Sequence, residues 1–562
     1  MVKSKATMWE SLLKFAIGIV LILLMNVIAS KYILRYDLTE EKRYSITDAT
    51  ENMLEKLDDA VYVDVYLEGD LPAGMKRLKA AIRERLDEFK IYSNNNIQYK
   101  FIDPSQATSE KARNEFYRNL AQKGLQARRL FDNVDGQKTE KIIFPGAIIT
   151  YGEREKIVSF LKGAGGQAAI NQSIEGVEYE LASGIRSLTN DERKKVGLIK
   201  GHRESDSLSL AGLTNVLLEE YNVYNVNLSE KEAIEGYDAI IISKPKRAFS
   251  PWDKYKIDQY IMRGGNALFF MDQLYVDIDS ALNQGTFALP IDVNLDDMFF
   301  KYGVRVNRDL VQDLSSGVVP VIVNMIGDQP DIQNFEWPFF PIINQFSDHP
   351  IVKNSDAIYT KFISTIDSVK ADGITKTPLL FSGKYSRKLG APLMVSLNDI
   401  RNINKENFRN NTPFPVAYIL EGEFTSLYKN RILPKGISKV SFTEKGKPAK
   451  VLVVADGDLI ENEFSMKNGN PVEMGYSEFM RKKFGNEAFI KNALQYMTDN
   501  EGIITARSKE IKMRSLDKIK VQEERFFWQV LNIGLPLLLL LWYGVLKYFL
   551  RKRKYSNFTN GK

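Results

Sequence analysis

Two long apolar runs, one near each end, constrain this chain more than any other feature. The first extends from Phe15 to Ser30, with Leu12 and Leu13 before it. At 1.5 Å per residue, a helix from Leu12 to Leu34 spans about 35 Å, enough for the roughly 30 Å hydrocarbon core of a bilayer. A cleaved signal peptide is the competing reading, with Val27-Ile28-Ala29 as its small-residue cleavage pattern, but the length of the run favours a retained anchor. The second run extends from Phe526 to Tyr548, interrupted by Gln529, Asn532 and a Gly534/Pro536 pair.

Charge placement orients these runs. The net charge is +6, but residues 1–14 carry +2 and residues 547–562 carry +6, so the body between them sums to −2. Lys3, Lys5 and the tetrad Arg551-Lys552-Arg553-Lys554 stay cytoplasmic by the positive-inside rule. The expectation is a two-span protein of a bacterial inner membrane, both termini cytoplasmic, with its bulk in the periplasm. A nucleic-acid binder would show a basic patch on its folded part, and the summed charge gives none. Gln529, Asn532 and Pro536 fall at i, i+3 and i+7 and share one helix face, while Asn26 sits deep in the first run. These residues either pack against another membrane protein or, for Gln529 and Asn532, hydrate at the headgroup level.

Chemistry is restricted by two absences. There is no cysteine, which excludes disulfides, thiolate nucleophiles and Cys-ligated metal centres. The two histidines, His202 and His349, cannot build a three-histidine site. No G-x-x-x-x-G-K-[ST] occurs, so the chain is not expected to hydrolyse ATP itself.

Between the runs, hydrophobic periodicity gives an α/β protein. Residues 35–162 read β-α-β-α-β-β, a thioredoxin-like order without C-x-x-C, in which Leu78, Ile82, Leu86 and Phe89 form one helix face and Lys141 to Tyr151 one strand. A connector helix occupies 163–194. Residues 195–280 and 448–500 alternate short apolar strands with helices, which predicts a doubly wound parallel sheet of glutamine-amidotransferase-like type. The stretch 281–447 is a long insertion of unassigned fold. Residues 1–11 form the cytoplasmic N-terminus, 12–34 the first span, 501–525 a juxtamembrane segment, 526–550 the second span and 551–562 the basic tail.

One polar cluster stands out. His202, Glu204, Asp272, Asp456 and Asp458 follow the carboxyl ends of predicted parallel strands, the edge where such sheets bind ligands. The carboxylates could hold a divalent cation and His202 could act as a general base. The competing reading, which the pattern favours, is that they cap the following helices and tie loops together. His349, before Pro350, reads as a loop residue with one satisfied hydrogen bond.

Several segments in order carry a family resemblance: Arg35-Tyr-Asp-Leu-Thr-Glu-Glu-Lys-Arg-Tyr-Ser45, Gly201-His202-Arg-Glu204, Pro338-Phe-Phe-Pro341 with His349-Pro350-Ile351, Glu421-Gly-Glu-Phe-Thr-Ser426 and Val454-Ala-Asp456-Gly-Asp458. With the bracketing runs, the chain resembles the GldG family of gliding-motility-associated auxiliary, substrate-binding-like subunits of bacterial ABC transporters. Its doubly wound unit is similar to a binding domain shared with intraflagellar transport proteins. The resemblance implies a permease partner of the GldF type, an ATPase of the GldA type and a homodimer within the complex, but no catalytic residues and no cofactor. The alternative is a membrane-anchored periplasmic hydrolase or ligand-binding protein that uses His202, Asp456 and Asp458.

Overall fold

The structure, a computed structural model, describes residues 2–31, 45–106, 109–134, 137–161, 167–190, 193–326, 329–409, 412–434, 442–499, 501–508 and 523–556. Arg35 to Tyr44, Gly163 to Gly166 and the side chains of Lys3, Lys5 and Lys554 lie outside the described residues. Helix α1 covers Val2–Lys31. Its stretch Leu13–Asn26 is apolar but shorter than the expected 12–34 span.

The first α/β unit opens with α2 (Asp48–Glu55), capped by Thr47. It continues through β1 (Val61–Val65), α3 (Ala73–Tyr92), β2 (Ile97–Phe101) and α4 (Glu110–Gln122). Then come β3 (Arg128–Val134), β4 (Gln137–Ile143), β5 (Gly146–Tyr151) and β6 (Arg154–Ser159). The sheet order is β2-β1-β5-β6, with β1 parallel to β2 and the other pairs antiparallel. Leu78, Ile82, Leu86 and Phe89 of α3 are fully buried, as their spacing predicts. The strand expected over Lys141 to Tyr151 is broken in two. Pro145 has no N–H to give a ladder, so β4 ends before it and pairs with β3 in a separate polar hairpin.

Helix α5 (Gln167–Thr189) is more than the expected connector. Its Val177, Leu181, Ala182, Ile185 and Leu188 share one core with Val63, Ile149 and Val158. Gly184 permits that approach, since a Cβ there would stand 2.6 Å from Val158 Cγ2. Ile503, Ile504 and Ala506, expected as juxtamembrane residues, pack into the same core.

The second unit is built on one eight-stranded sheet. Its early elements are β7 (Lys195–Lys200), α6 (Ala211–Leu218), β8 (Asn222–Asn227), β9 (Ala239–Ser243), α7 (Pro251–Met262) and β10 (Asn266–Phe270). The later ones are β11 (Gln345–Phe346), β12 (Ile374–Phe381), β13 (Pro415–Thr425), β14 (Lys445–Val454) and α8 (Asn486–Thr498). The order is β11-β12-β13-β14-β10-β9-β7-β8. From β14 to β8 all pairs are parallel, and from β11 to β14 all are antiparallel. Ile240, Ile241 and Ile242 of β9 have no exposed surface, because helices cover both faces of the parallel half. Helix α7 starts as its sequence predicts, with the Ser250 hydroxyl accepting from the Asp253 N–H and Pro251 in the first turn.

The stretch 281–447 supplies β11, β12 and β13 to the same sheet and most of a further hydrophobic cluster around Trp337 and Phe339. It also supplies two strands of a small sheet, Leu274–Tyr275, Thr286–Pro290 and Leu393–Val395. Helix α9 (Arg525–Ser556) belongs to a second compact unit, and its segment Arg525–Arg553 is long and apolar enough to cross a membrane.

His349 is a loop residue whose Nδ1 accepts from the Ile351 N–H at 3.3 Å, with its ring edge on Tyr496. Burial, aided by the Lys450 ammonium, pushes its pKa down to about 4 from 6.5. A depressed folded-state pKa means this contribution to stability is complete above pH 6.5 and is lost as pH falls towards 4. Denaturant midpoints measured across this window are expected to fall with pH, and less steeply in His349→Gln. Identical slopes would contradict the assignment.

Candidate functional site

The five parallel strands end on one edge, and the loops leaving four of them converge on a single ammonium group. Lys244 directly follows β9, and its Nζ bonds Asp458 Oδ1. It also lies 3.3 Å from Asp272 Oδ2 and 3.5 Å from Glu461 Oε2. Asp272 leaves β10, and Asp458 and Glu461 leave β14. Glu461 accepts in turn from the Ser205 hydroxyl in the loop after β7. The backbone at Lys244 is left-handed, φ +50°, a conformation that an L-residue holds only when its surroundings over-determine it.

Burial alone would lower the Lys244 pKa, but Asp272, Asp458 and Glu461 outweigh it and hold the ammonium well above its ordinary range. Asp458 is also buried, yet Lys244 and Lys361 keep it below the usual carboxylate range. Burial raises Asp272, and burial with the neighbouring Asp458 and Asp272 charges raises Asp456 far above the usual range. Oxygens of Asp272, Asp456 and Asp458 lie within 4.8 Å of one another, a spacing a divalent cation accepts. Lys244 already supplies the counter-charge there.

The other predicted residues divide differently. Asp456 accepts from the backbone N–H groups of Asp458 (2.7 Å), Leu459 (3.2 Å) and Lys361 (3.0 Å), so it fixes a turn. His202 is buried, with Nδ1 3.2 Å from Glu204 Oε1 and Nε2 3.3 Å from Asp253 Oδ2. Its ring stacks on Phe249 at 3.8 Å. Glu204 also accepts from the His202 N–H at 2.7 Å. Both ring nitrogens are thus engaged by carboxylates that themselves belong to the fold. A cleft of about 460 Å³ opens on this edge; Asp272 and Asp458 line it, whereas His202, Glu204 and Asp456 do not.

Sequence reasoning missed Lys244, Asp253 and Glu461. A signal for Lys244 existed: it follows a fully buried strand at the very edge where the acidic residues were placed. In the membrane-type unit, Gln529, Asn532 and Pro536 are all exposed on α9. Pro536 sits inside the helix and has no N–H for the Asn532 carbonyl four residues earlier.

The chain is similar to several known proteins. A family model described as "ABC-type uncharacterized transport system" (ABC_transp_aux) matches residues 193–493. A second, a domain of unknown function (DUF7088), matches residues 40–150. An uncharacterized protein of Borreliella burgdorferi is 22% identical over 561 residues, covering 97% of this chain and 99% of its own length. Among solved structures, the mmIFT52 N-terminal domain is 12% identical with a TM-score of 0.32, over 55% of this chain and 98% of that one. A ThuA-like protein from Parabacteroides merdae is 11% identical with a TM-score of 0.26, over 55% of this chain and 91% of that one.

Lys244→Ala leaves the buried Asp272 and the partly buried Asp458 and Glu461 without their cation. The expected loss of stability is about 3–5 kcal/mol, read as a lower denaturant midpoint at pH 7. An unchanged midpoint would show that the hub is not needed.

Proposed function

The chain belongs to the ABC-type uncharacterized transport system family, as an auxiliary component of such a system, and from that premise we propose that it is the membrane-anchored, non-enzymatic subunit of its complex. Both apolar helices hold it in a bacterial inner membrane, termini in the cytoplasm and body in the periplasm. A permease of the GldF type packs on its spans, and an ATPase of the GldA type works from below. Two copies stand in one complex, and the body meets an envelope partner or substrate in gliding motility. The first unit is read as thioredoxin-like and the second as glutamine-amidotransferase-like, each without the cysteine such enzymes use.

The observation that carries this reading is the polar face of α9. The Asn532 carbonyl loses its helical donor at Pro536, and the side chains of Gln529 and Asn532 lie on the same face. In hydrocarbon, an unsatisfied polar group costs several kcal/mol, so such a face is stable against another protein and not against lipid. Two further facts support a binding role: the sequence has no phosphate-binding loop, and both nitrogens of His202 are already committed.

Purification of the full chain in mild detergent is expected to retain a permease and an ATPase. Gln529→Leu/Asn532→Leu is expected to reduce that retention at least fivefold while the body unfolds at the same denaturant concentration. A chain that is monodisperse and alone under several detergents contradicts the proposal.

A further inference from the structure

The small sheet beside the cleft breaks the rule that governs solvent-facing strands. In Thr286–Pro290 the side chains alternate, and Ala288 faces a buried core with Leu274 and Val395. The opposite face should be polar. It carries Phe287 and Leu289, 57% and 53% exposed. Their cross-strand partners on that face are Met394 and Tyr275, 49% and 51% exposed. Four large apolar side chains therefore form one ladder in water, across three strands spaced about 4.8 Å apart. Contiguous exposed apolar surface of this kind marks an interaction site.

The ladder runs into the cleft. Tyr275 belongs to both, and Ile278, Phe464 and Met466, all exposed, also line the cleft. The charge of that lining is one-sided: six carboxylates line the cleft against three lysines, a formal net of −3. Lys244 and Lys361 are already held by Asp458 and Glu463. The surface thus offers an acidic cleft that adjoins an apolar ladder, the complement of a segment carrying both apolar side chains and cations.

We infer that the cleft and the ladder together dock an extended polypeptide segment in which apolar side chains alternate with Lys or Arg. A small amine filling about 460 Å³ would leave the ladder in water; a polypeptide covers both parts. The inference rests on the reading of this chain as a partner-binding subunit and names the chemistry of the partner at its carboxyl-edge cleft.

The test uses the full chain in mild detergent and three fluorescein-labelled nonapeptides, with empty micelles as the blank. One alternates Leu or Phe with Lys, the second has Glu for Lys, and the third has Ser for Leu and Phe. Saturable binding of the first is expected, with the other two at least tenfold weaker. Phe287→Ser/Leu289→Ser should weaken the first peptide at least tenfold, and these side chains already face water, so the fold is retained. Glu463→Gln/Glu478→Gln, which removes the charge and leaves one amide oxygen as acceptor on each residue, should weaken it at least threefold and flatten its salt dependence. Equal binding of the acidic peptide, indifference to the Phe287/Leu289 change, or no saturable binding overturns the inference. Retention of permease and ATPase is scored on the same preparations. A complex that persists without peptide binding sinks the docking surface alone, whereas a chain without partners sinks the broader reading.

Discussion

One partly buried ammonium allows the carboxyl edge of the large sheet to exist in its present form. Removing several carboxylates from water costs several kcal/mol each, and nothing apolar offsets that. Lys244 meets Asp272, Asp458 and Glu461 at once, and Glu461 extends the network to Ser205. Loops leaving β7, β9, β10 and β14 are thus tied by one charge. The raised pKa of Lys244 and the lowered pKa of Asp458 express the same fact: the charged pair is favoured over its neutral forms despite burial. Lys244 holds its left-handed backbone, φ +50°, within this network.

This arrangement separates two kinds of polar residue that look alike in sequence. Asp456 and His202 are consumed by the fold, the first by three backbone N–H groups and the second by two carboxylates and a stacked ring. Asp272 and Asp458 face the cleft as well as Lys244. A binding surface assembled this way has its charges fixed before any partner arrives, which reduces the ordering cost of association.

How much was legible in the sequence follows from burial. The parallel strands, such as Ile240 to Ile242, were readable because both faces are covered and the apolar run is unbroken. The α3 face was readable because its period is 3.6. The antiparallel half was not: β12 contains Pro378 and bulges, and β13 carries Gly422 at a register with Ile374. The hairpin β3–β4 is rich in polar residues without a regular apolar alternation, so its strands were not announced. Of the site, the acidic members were visible as residues following predicted strands. Their cation carried one weaker signal, its place after the buried strand β9, because a lysine there resembles any surface lysine until the tertiary fold surrounds it with Asp272, Asp458 and Glu461.

Strand β14 sits between β10 and β13, yet it is separated from β10 by the whole chain from Phe270 to Lys445. Until that late segment emerges, Ala267, Leu268, Phe269 and Phe270 present an open, apolar strand edge, the kind of template on which chains aggregate. Closing the sheet requires a contact between residues far apart in sequence, and such contacts form slowly. A chain built this way completes its largest core only after its late segment has been made. Its yield is therefore governed as much by whatever shields that edge during folding as by the stability of the finished fold.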